Sequence, residues 1–520
     1  MNTVEDDSVQ KNVRYNLDKI FDVVLAFSGE VKYNGLLDTI LSKMMEITSS
    51  DSGTLYIVKN KKLHYHIIKN VSLNIYQFSK NIDLAPMVLD EHNDNIACCC
   101  ALKNKIIKVD DIYADNKFDF TGLKDFDRVV GYSTRSVLVF PLTTIRNDTE
   151  EVLGVVQLLN ATDCEGSEIC GYGDINNPPV VPMLAKMASS TLSNLVHYKE
   201  VYSLFYSFVS VITQTIDERS PYNINHTKNV TRYCGNFAEY LNEKYKPQHP
   251  YYFDKNRLEQ LVLAAMLHDI GKIVTPLEIL NKADRLGDRV SSLYYRFDIK
   301  ALQIENDFLK AKISQKDYDL QVSILDNAKN LVKRINKADF LTDTDIANVQ
   351  KLADINYIDQ NKDVKPLFTI DDIECLSIKR GTLAPSERVI MQEHASITEK
   401  ILNKTTLCKY CKNIPNWTKN HHEFLDGTGY PDGLQGEEIS LETCIITICD
   451  IFEGLTALDR PYKKNCVVST EKAIKKLSDM AEKGKLHKDL VALFVQGRCW
   501  ERSSKAYSLD IEASSNYEED

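Results

Sequence analysis

The pair His268-Asp269 constrains this chain most, because it closes an apolar run, residues 261–267, that reads as a buried helix. Burying an unpaired carboxylate costs several kcal/mol, so the core that takes this helix must also bring partners for the acid. Asp450 makes the same demand from inside the run 445–452, another core-helix pattern. One such acid reads as a hydrogen-bonded structural aspartate. The chain has eleven histidines. His64, His66, His92, His197, His249 and His487 lie in segments without clustered ligands and read as solvated or packed side chains. His226, His268, His394, His421 and His422 each stand beside turn residues or an acid. Two buried acids with five such histidines point to shared metal ions. Imidazoles and carboxylates without thiolates suit first-row metals that keep open positions for water. On a helix the adjacent His421 and His422 diverge by roughly 100°, which lets them approach different metals. An aspartate such as Asp269 can bridge two ions, and ions ~3.5–4 Å apart suit in-line attack on phosphorus.

Composition narrows the setting. At 520 residues the chain has room for about three domains. Hydrophobic residues at 43% and charged residues at 26% are ordinary for a globular protein. Acidic residues outnumber basic ones 74 to 63, for a net charge of −11. That excess argues against coating nucleic acid or anionic lipid, whereas a metal-lined pocket still accepts an anionic small molecule. The apolar stretches are far shorter than a membrane span needs, and the acidic amino terminus does not read as a signal peptide. Thirteen cysteines, an odd number in a large chain, read as reduced thiols, and a cytoplasmic location is expected.

The expected order is a loose tail (1–20), an α+β sensor-size domain (21–197), a connecting helix (198–218), a helical domain (219–502) and an acidic tail (503–520). Strands are expected at 54–58, 105–109, 136–140 and 152–159, and a closing helix at 183–198. The bridge 195–218 reads either as a core helix or as a parallel dimer helix between domains, hence a homodimer. Residues 283–365 read as an inserted arm of two antiparallel helices with a break around 314–317, either packing or binding a partner.

The segments Asn116-Lys117-Phe118-Asp119-Phe120, Gly131-Tyr132-Ser133-Thr134-Arg135-Ser136 and Gly154-Val155-Val156-Gln157-Leu158-Leu159-Asn160 resemble a GAF domain of the kind that precedes cyclic-nucleotide phosphodiesterases. The resemblance implies a small-molecule pocket supported by Asn116, Lys117 and Asp127, although Arg128 leaves its usual acidic pair incomplete.

A second, more specific resemblance rests on His268-Asp269-Ile270-Gly271-Lys272, then Pro276, Ile279-Leu280 and Lys282. With His421-His422-Glu423, Asp426-Gly427-Thr428-Gly429-Tyr430-Pro431, Gly433-Leu434 and Arg460-Pro461-Tyr462-Lys463, it is similar to the HD-GYP branch of the HD metal-dependent phosphohydrolases. This implies an all-α domain, here with an inserted helical hairpin, that hydrolyses cyclic di-GMP to pGpG or GMP; some members prefer cyclic GMP-AMP. His226, His268, Asp269, His394, His421, His422 and Asp450 take the metal-ligand positions, for two divalent ions, iron or manganese. Lys272 takes the position that contacts the scissile phosphate. Arg460 and Lys463 take those that meet guanine or phosphate. The loop Gly429, Tyr430, Pro431 borders the site and is implicated in contacts with diguanylate cyclase domains. Tyr222 stands where some relatives carry a glutamate for a third metal. The alternatives are a non-catalytic signalling module with a structural metal site, and an HD phosphohydrolase acting on another nucleotide. A zinc knuckle at Cys408 and Cys411 is set aside for want of a second cysteine pair.

Overall fold

The computed structural model describes residues 33–146, 148–162, 169–173, 180–220, 225–405, 411–457 and 469–502. The chain divides into two units at Phe205 and Tyr206, inside one long helix.

In the first unit, apolar residues at helical spacing form α1 (Tyr33–Ile47), which buries Leu36, Leu37, Ile40, Leu41, Met44 and Met45. The strands are β1 (Ser50–Lys59), β2 (Lys62–Asn70), β3 (Ile75–Phe78), β4 (Met87–Val88), β5 (Ile107–Val109), β6 (Val137–Arg146), β7 (Thr149–Thr162) and β8 (Ile169–Cys170). They form one antiparallel sheet in the order β3-β2-β1-β7-β6-β5, with β4 on β2 and β8 on β7. Period-two alternation sorts the side chains. Leu138, Phe140 and Leu142 turn to the core shared with α1, and Val137 and Val139 to the core on the other face. That second core takes in α2 (Ile96–Lys103), Ile112 and Phe120. A short α3 (Thr121–Val130) precedes β6. α4 (Val180–Asp217) is a single 38-residue helix, where the sequence reading had a closing helix and a connecting one. Its first half supplies Leu184, Ala188, Leu192 and Val196 to the α1 core.

The second unit is helical. It contains α5 (His226–Lys244), α6 (Lys255–Leu267), a 3-10 turn (Ile270–Val274) and α7 (Leu277–Leu280), then the inserted arm. After the arm come α12 (Pro385–Asn403), α13 (Ile414–Lys419), α14 (Leu441–Thr456), α15 (Thr470–Glu482) and α16 (Lys488–Gln496). Phe494 of α16 joins α5 to α14, its ring 5.4 Å from Phe237 and 5.3 Å from Phe452.

In the arm, α8 (Arg289–Leu309) and α9 (Gln315–Asn336) pack as an antiparallel hairpin through Leu293, Phe297, Ile304, Leu325, Val332 and Ile335. The turn lies at 310–314, ahead of the expected break. Ser314 and Asp317 instead form the capping box that starts α9. The arm also holds α10 (Asp343–Lys351), an antiparallel ribbon of β9 (Asn356–Ile358) and β10 (Val364–Pro366), and α11 (Ile370–Leu376). It is thus more than a hairpin.

Arg285, fully buried, anchors the arm. Its guanidinium donates to the carbonyl oxygens of Ile378 (2.9 Å), Ile335 (2.8 Å) and Ala338. Arg285→Ala strands those carbonyls and opens a cavity, so a loss on the order of 3 kcal/mol is expected. A thermal midpoint for the variant equal to the parent's would refute the anchoring role.

Candidate metal centre

The elements that carry the seven predicted ligands meet within the second unit. α5 begins at His226, His268 caps the end of α6, His394 sits mid-way along α12, and Asp450 projects from α14. Asp269 follows His268 at the entry to the 3-10 turn. His421 and His422 differ from the helical expectation: α13 ends at Lys419, and both lie in the turn after it, rings 3.9 Å apart. Turn geometry lets neighbours point the same way, so the two histidines share one cluster.

Asp269 is the hub. Its Oδ2 lies 3.3 Å from Nε2 of His226 and of His268, and 2.5 Å from the Lys272 ammonium. Its Oδ1 faces the other way, 3.4 Å from Nε2 of His394 and 4.0 Å from that of His421. Asp450 Oδ1 stands 3.3 Å from His226 Nε2, and its Oδ2 3.8 Å from His422 Nδ1. Three overlapping groups have metal-ligand proximity: His226, His268 and Asp450; His268, Asp269 and His421; and His394, His421 and His422.

The histidines are pre-set as ligands. Nδ1 of His268, His394 and His421 donates to the carbonyl oxygens of Ala265 (2.7 Å), Met391 (2.6 Å) and Thr418 (2.5 Å). A carbonyl can only accept, so Nδ1 carries the proton and Nε2 keeps its lone pair toward the centre. Three of these inward atoms, Asp269 Oδ1, His394 Nε2 and His421 Nε2, are buried without a hydrogen-bond partner. Orphaned acceptors converging on the Oδ1 side of the carboxylate fit a divalent cation there. The electrostatics divide the imidazoles. Burial, aided by neighbouring imidazoles, pushes His421 down to about 3 and also lowers His394 and His422, so all three are neutral at pH 7. Burial disfavours charge on His226 and His268 too, but the neighbouring carboxylates, Asp269 foremost, outweigh it and raise both groups, His226 to about 10. A proton there stands in for the positive charge that a metal would bring.

Sequence reasoning missed the residues that hold these ligands. Glu453, one turn after Asp450 on α14, lies 2.6 Å from His226 Nδ1, a carboxylate–histidine pair of the kind that orients metal ligands. The i,i+3 spacing was the available signal. Thr398, one turn after His394, accepts from Gly271 N (3.0 Å) and donates to His268 O (3.1 Å). Gly271 is required there, because a Cβ would sit 2.0 Å from His394 O.

The predicted substrate loop is also built in. The Tyr430 ring lies 4.7 Å from that of His422, and the Tyr430 N–H donates to His422 O (3.3 Å). A Cβ on Gly429 would lie 2.4 Å from Glu423 Cα. Buried Glu423, quoted in the motif but given no role, accepts from the N–H groups of Asp432 (2.7 Å), Gly433 (2.9 Å) and Leu434 (3.1 Å), anchoring the loop just past Pro431. Glu423→Ala is expected to speed amide exchange at Asp432–Leu434 by about tenfold or more, since bonds to a charged acceptor contribute about 1.5–3 kcal/mol. Unchanged exchange by mass spectrometry would count against this anchor.

Arg460, Lys463, Tyr222 and Cys408 lie outside the described residues. In the first unit, Asn116 and Lys117 are exposed, and Asp127 is buried with both carboxylate oxygens taken by the Thr134 N–H (2.7 Å) and hydroxyl (3.0 Å). Asp127 therefore ties α3 to the segment leading into β6.

Family models described as HD domain match residues 223–339 and 371–490, on either side of the α10–β10 part of the arm. The 3'3'-cGAMP-specific phosphodiesterase 3 of Vibrio cholerae is 48% identical over 85 residues, 16% of this chain and 18% of the relative. The cyclic di-GMP phosphodiesterase response regulator RpfG of Xanthomonas campestris is 37% identical over 87 residues, 17% and 22% respectively. The chain thus spans about a fifth of the length of these relatives. The GAF domain from an Acinetobacter phosphoenolpyruvate-protein phosphotransferase matches 35% of this chain and 96% of its own, at 11% identity and a TM-score of 0.26, too low to carry weight alone. The second unit is a helical HD-type domain, and the first is an α+β sheet unit. Among the described residues no helix is long and apolar enough to cross a membrane.

Proposed function

We propose that this chain is a metal-dependent phosphodiesterase that hydrolyses a cyclic dinucleotide, cyclic di-GMP or its cyclic GMP-AMP analogue, to pGpG, GMP or both. One observation carries the reading: the two oxygens of Asp269 face two different histidine groups, as a carboxylate shared by two cations must. His226, His268 and Asp450 would hold one ion, His394, His421 and His422 the other, with Asp269 common to both and iron or manganese as the metal. When bound, such ions supply positive charge against phosphoryl oxygens and acidify water for attack on phosphorus.

The protein's own groups do the rest. Carbonyl-bonded Nδ1 atoms keep the imidazoles in one tautomer and orientation. Lys272 is held on Asp269 with its side chain 17% exposed, so it can meet a substrate phosphate and neutralise or protonate the departing oxygen. Tyr430, packed on His422, walls the site, and Arg460 and Lys463 are assigned to guanine or phosphate. Relatives of both substrate names support a cyclic dinucleotide and leave the two in competition. The first unit (within 21–197) is read as a GAF sensor acting through α4, in a cytoplasmic homodimer, with a diguanylate cyclase domain as a further partner at the Tyr430 loop. The catalytic domain is assigned to 219–502.

The test is a hydrolysis panel of cyclic di-GMP, cyclic GMP-AMP and a guanosine alarmone, on protein purified without oxygen and with bound metal counted on the same sample. Cleavage of a cyclic dinucleotide is expected. Cleavage of the alarmone alone would transfer the site to another nucleotide. No cleavage by metal-loaded protein, with a cyclase domain still bound by Asp269→Asn, would make it a signalling module.

A further inference from the structure

The C-terminal end of α4 reaches the metal centre from outside, through two side chains that are neither ligands nor substrate groups. α4 ends at Asp217, within the second unit. Arg219, just beyond, donates through Nη1 to the carbonyl oxygens of Lys272 (2.6 Å) and Ile273, and through Nη2 to that of Thr275 (3.1 Å). These carbonyls close the 3-10 turn that follows Asp269, where Lys272 O also accepts from Thr275 N (3.1 Å) and the guanidinium adds a further donor. Asn281 Nδ2, at the end of α7, donates to Arg219 O (3.2 Å), which fixes the arginine's backbone.

Asp217 acts on the other side. Buried in the core, it accepts from Thr227 N (3.2 Å) and Thr227 Oγ1 (2.9 Å). Thr227 follows His226 at the start of α5, whose own N-cap residue, Asn225, offers no side-chain bond. The missing cap is thus supplied from the end of α4. Within three residues, one helix end fastens both to the element that begins with His226 and to the loop that carries Asp269 and Lys272.

We propose that Asp217 and Arg219 are positioning residues that set His226 and Lys272 against each other, so that a shift of α4 along or about its axis alters turnover by changing how these two groups face one another. The inference rests on reading the site as a phosphodiesterase. It deepens that reading by assigning the route of regulation to the end of the helix that continues from the first unit. A guanidinium is needed because only its fork reaches three carbonyls at once; a lysine ammonium keeps the charge and loses that geometry.

The experiment compares the full-length manganese-loaded parent with Arg219→Ala, Arg219→Lys and Asp217→Asn, reading metal content, amide exchange by mass spectrometry, and kcat and KM on the better cyclic dinucleotide. Arg219→Ala is expected to keep the parent's metal content, to speed exchange across residues 271–275, and to lower kcat by about ten- to a hundredfold with little change in KM. That is the range for a misplacement of about 1 Å. Arg219→Lys should fall between, and Asp217→Asn should speed exchange at the start of α5. Parent-like kcat, or parent-like exchange in the loop, would overturn the proposal. If Arg219→Ala fails to fold, Arg219→Lys carries the same comparison. If the parent cleaves no dinucleotide, the proposed activity falls, and loop exchange with metal content still decides whether Arg219 holds the loop.

Discussion

Asp269→Asn is expected to abolish turnover, by at least about 10³-fold, and to strip metal from the purified protein. Asparagine keeps the volume of aspartate, so the core should survive. What changes is the charge and the symmetry of the hub. In the parent, Oδ2 serves His226, His268 and Lys272 while Oδ1 serves the His394 side. An amide has one oxygen and one NH2 group. Whichever way it turns, an N–H donor faces lone pairs on one side that a cation should meet, and no anion answers the Lys272 ammonium. The loss thus falls on both ligand groups at once, which is why the effect should exceed the 10²–10³-fold typical of removing one electrostatic contact or the 10–100-fold of removing an outer partner such as Glu453. Metal content by elemental analysis beside cyclic dinucleotide hydrolysis is the measurement. Full metal content with turnover within tenfold of the parent would remove Asp269 from the hub.

What could be read from the sequence was whatever the physics of burial made anomalous. Asp269 and Asp450 stood out because charged side chains do not end or interrupt apolar helices without partners. The histidine set followed from its turn and acid neighbours, and the structure brings all seven residues together. The orientation of His421 and His422 was not legible, because periodicity implies a helix and is silent about a helix that stops at Lys419, two residues short. The supporting shell was harder still. Glu453, Thr398 and Arg219 are ordinary surface-type residues by composition, and only the fold reveals that they face a ligand or its loop. The start of α9 shows the opposite error. Ser314 and Asp317 broke the apolar pattern and looked like a turn, but a serine followed three residues later by an acid is a helix start. The same pattern, Thr342 with Asp345 and Thr369 with Asp372, marked the two arm helices that apolar periodicity alone did not reveal. In the first unit, sequence does not display that Thr134 returns to Asp127 across a tight segment.

Gly271→Ala separates ligand chemistry from ligand placement, since it leaves every donor atom in the centre unchanged. The added methyl would meet His394 O at 2.0 Å and Thr398 N at 2.8 Å. Both are backbone atoms of α12, so no rotamer change relieves the clash, and either the 3-10 turn or the helix has to move. The turn is the weaker element: five residues, held to α12 through Gly271 N to Thr398 Oγ1, and on its outer side by Arg219. Its displacement carries Asp269 and Lys272 away from His394 and His421 together. Overpacking of this kind costs about 1–3 kcal/mol, and a displacement of about 1 Å at a reacting centre can cost 10²-fold in rate. The expected result is a folded protein with a lowered thermal midpoint, a deficit in bound metal and turnover down by about 10²-fold or more. Unlike Asp269→Asn, this variant keeps the Asp269 carboxylate, so excess manganese in the assay should restore part of its activity and none of that of Asp269→Asn. Equal rescue of both, or parent-like turnover in Gly271→Ala, would show that the close approach of loop and helix does not set the centre.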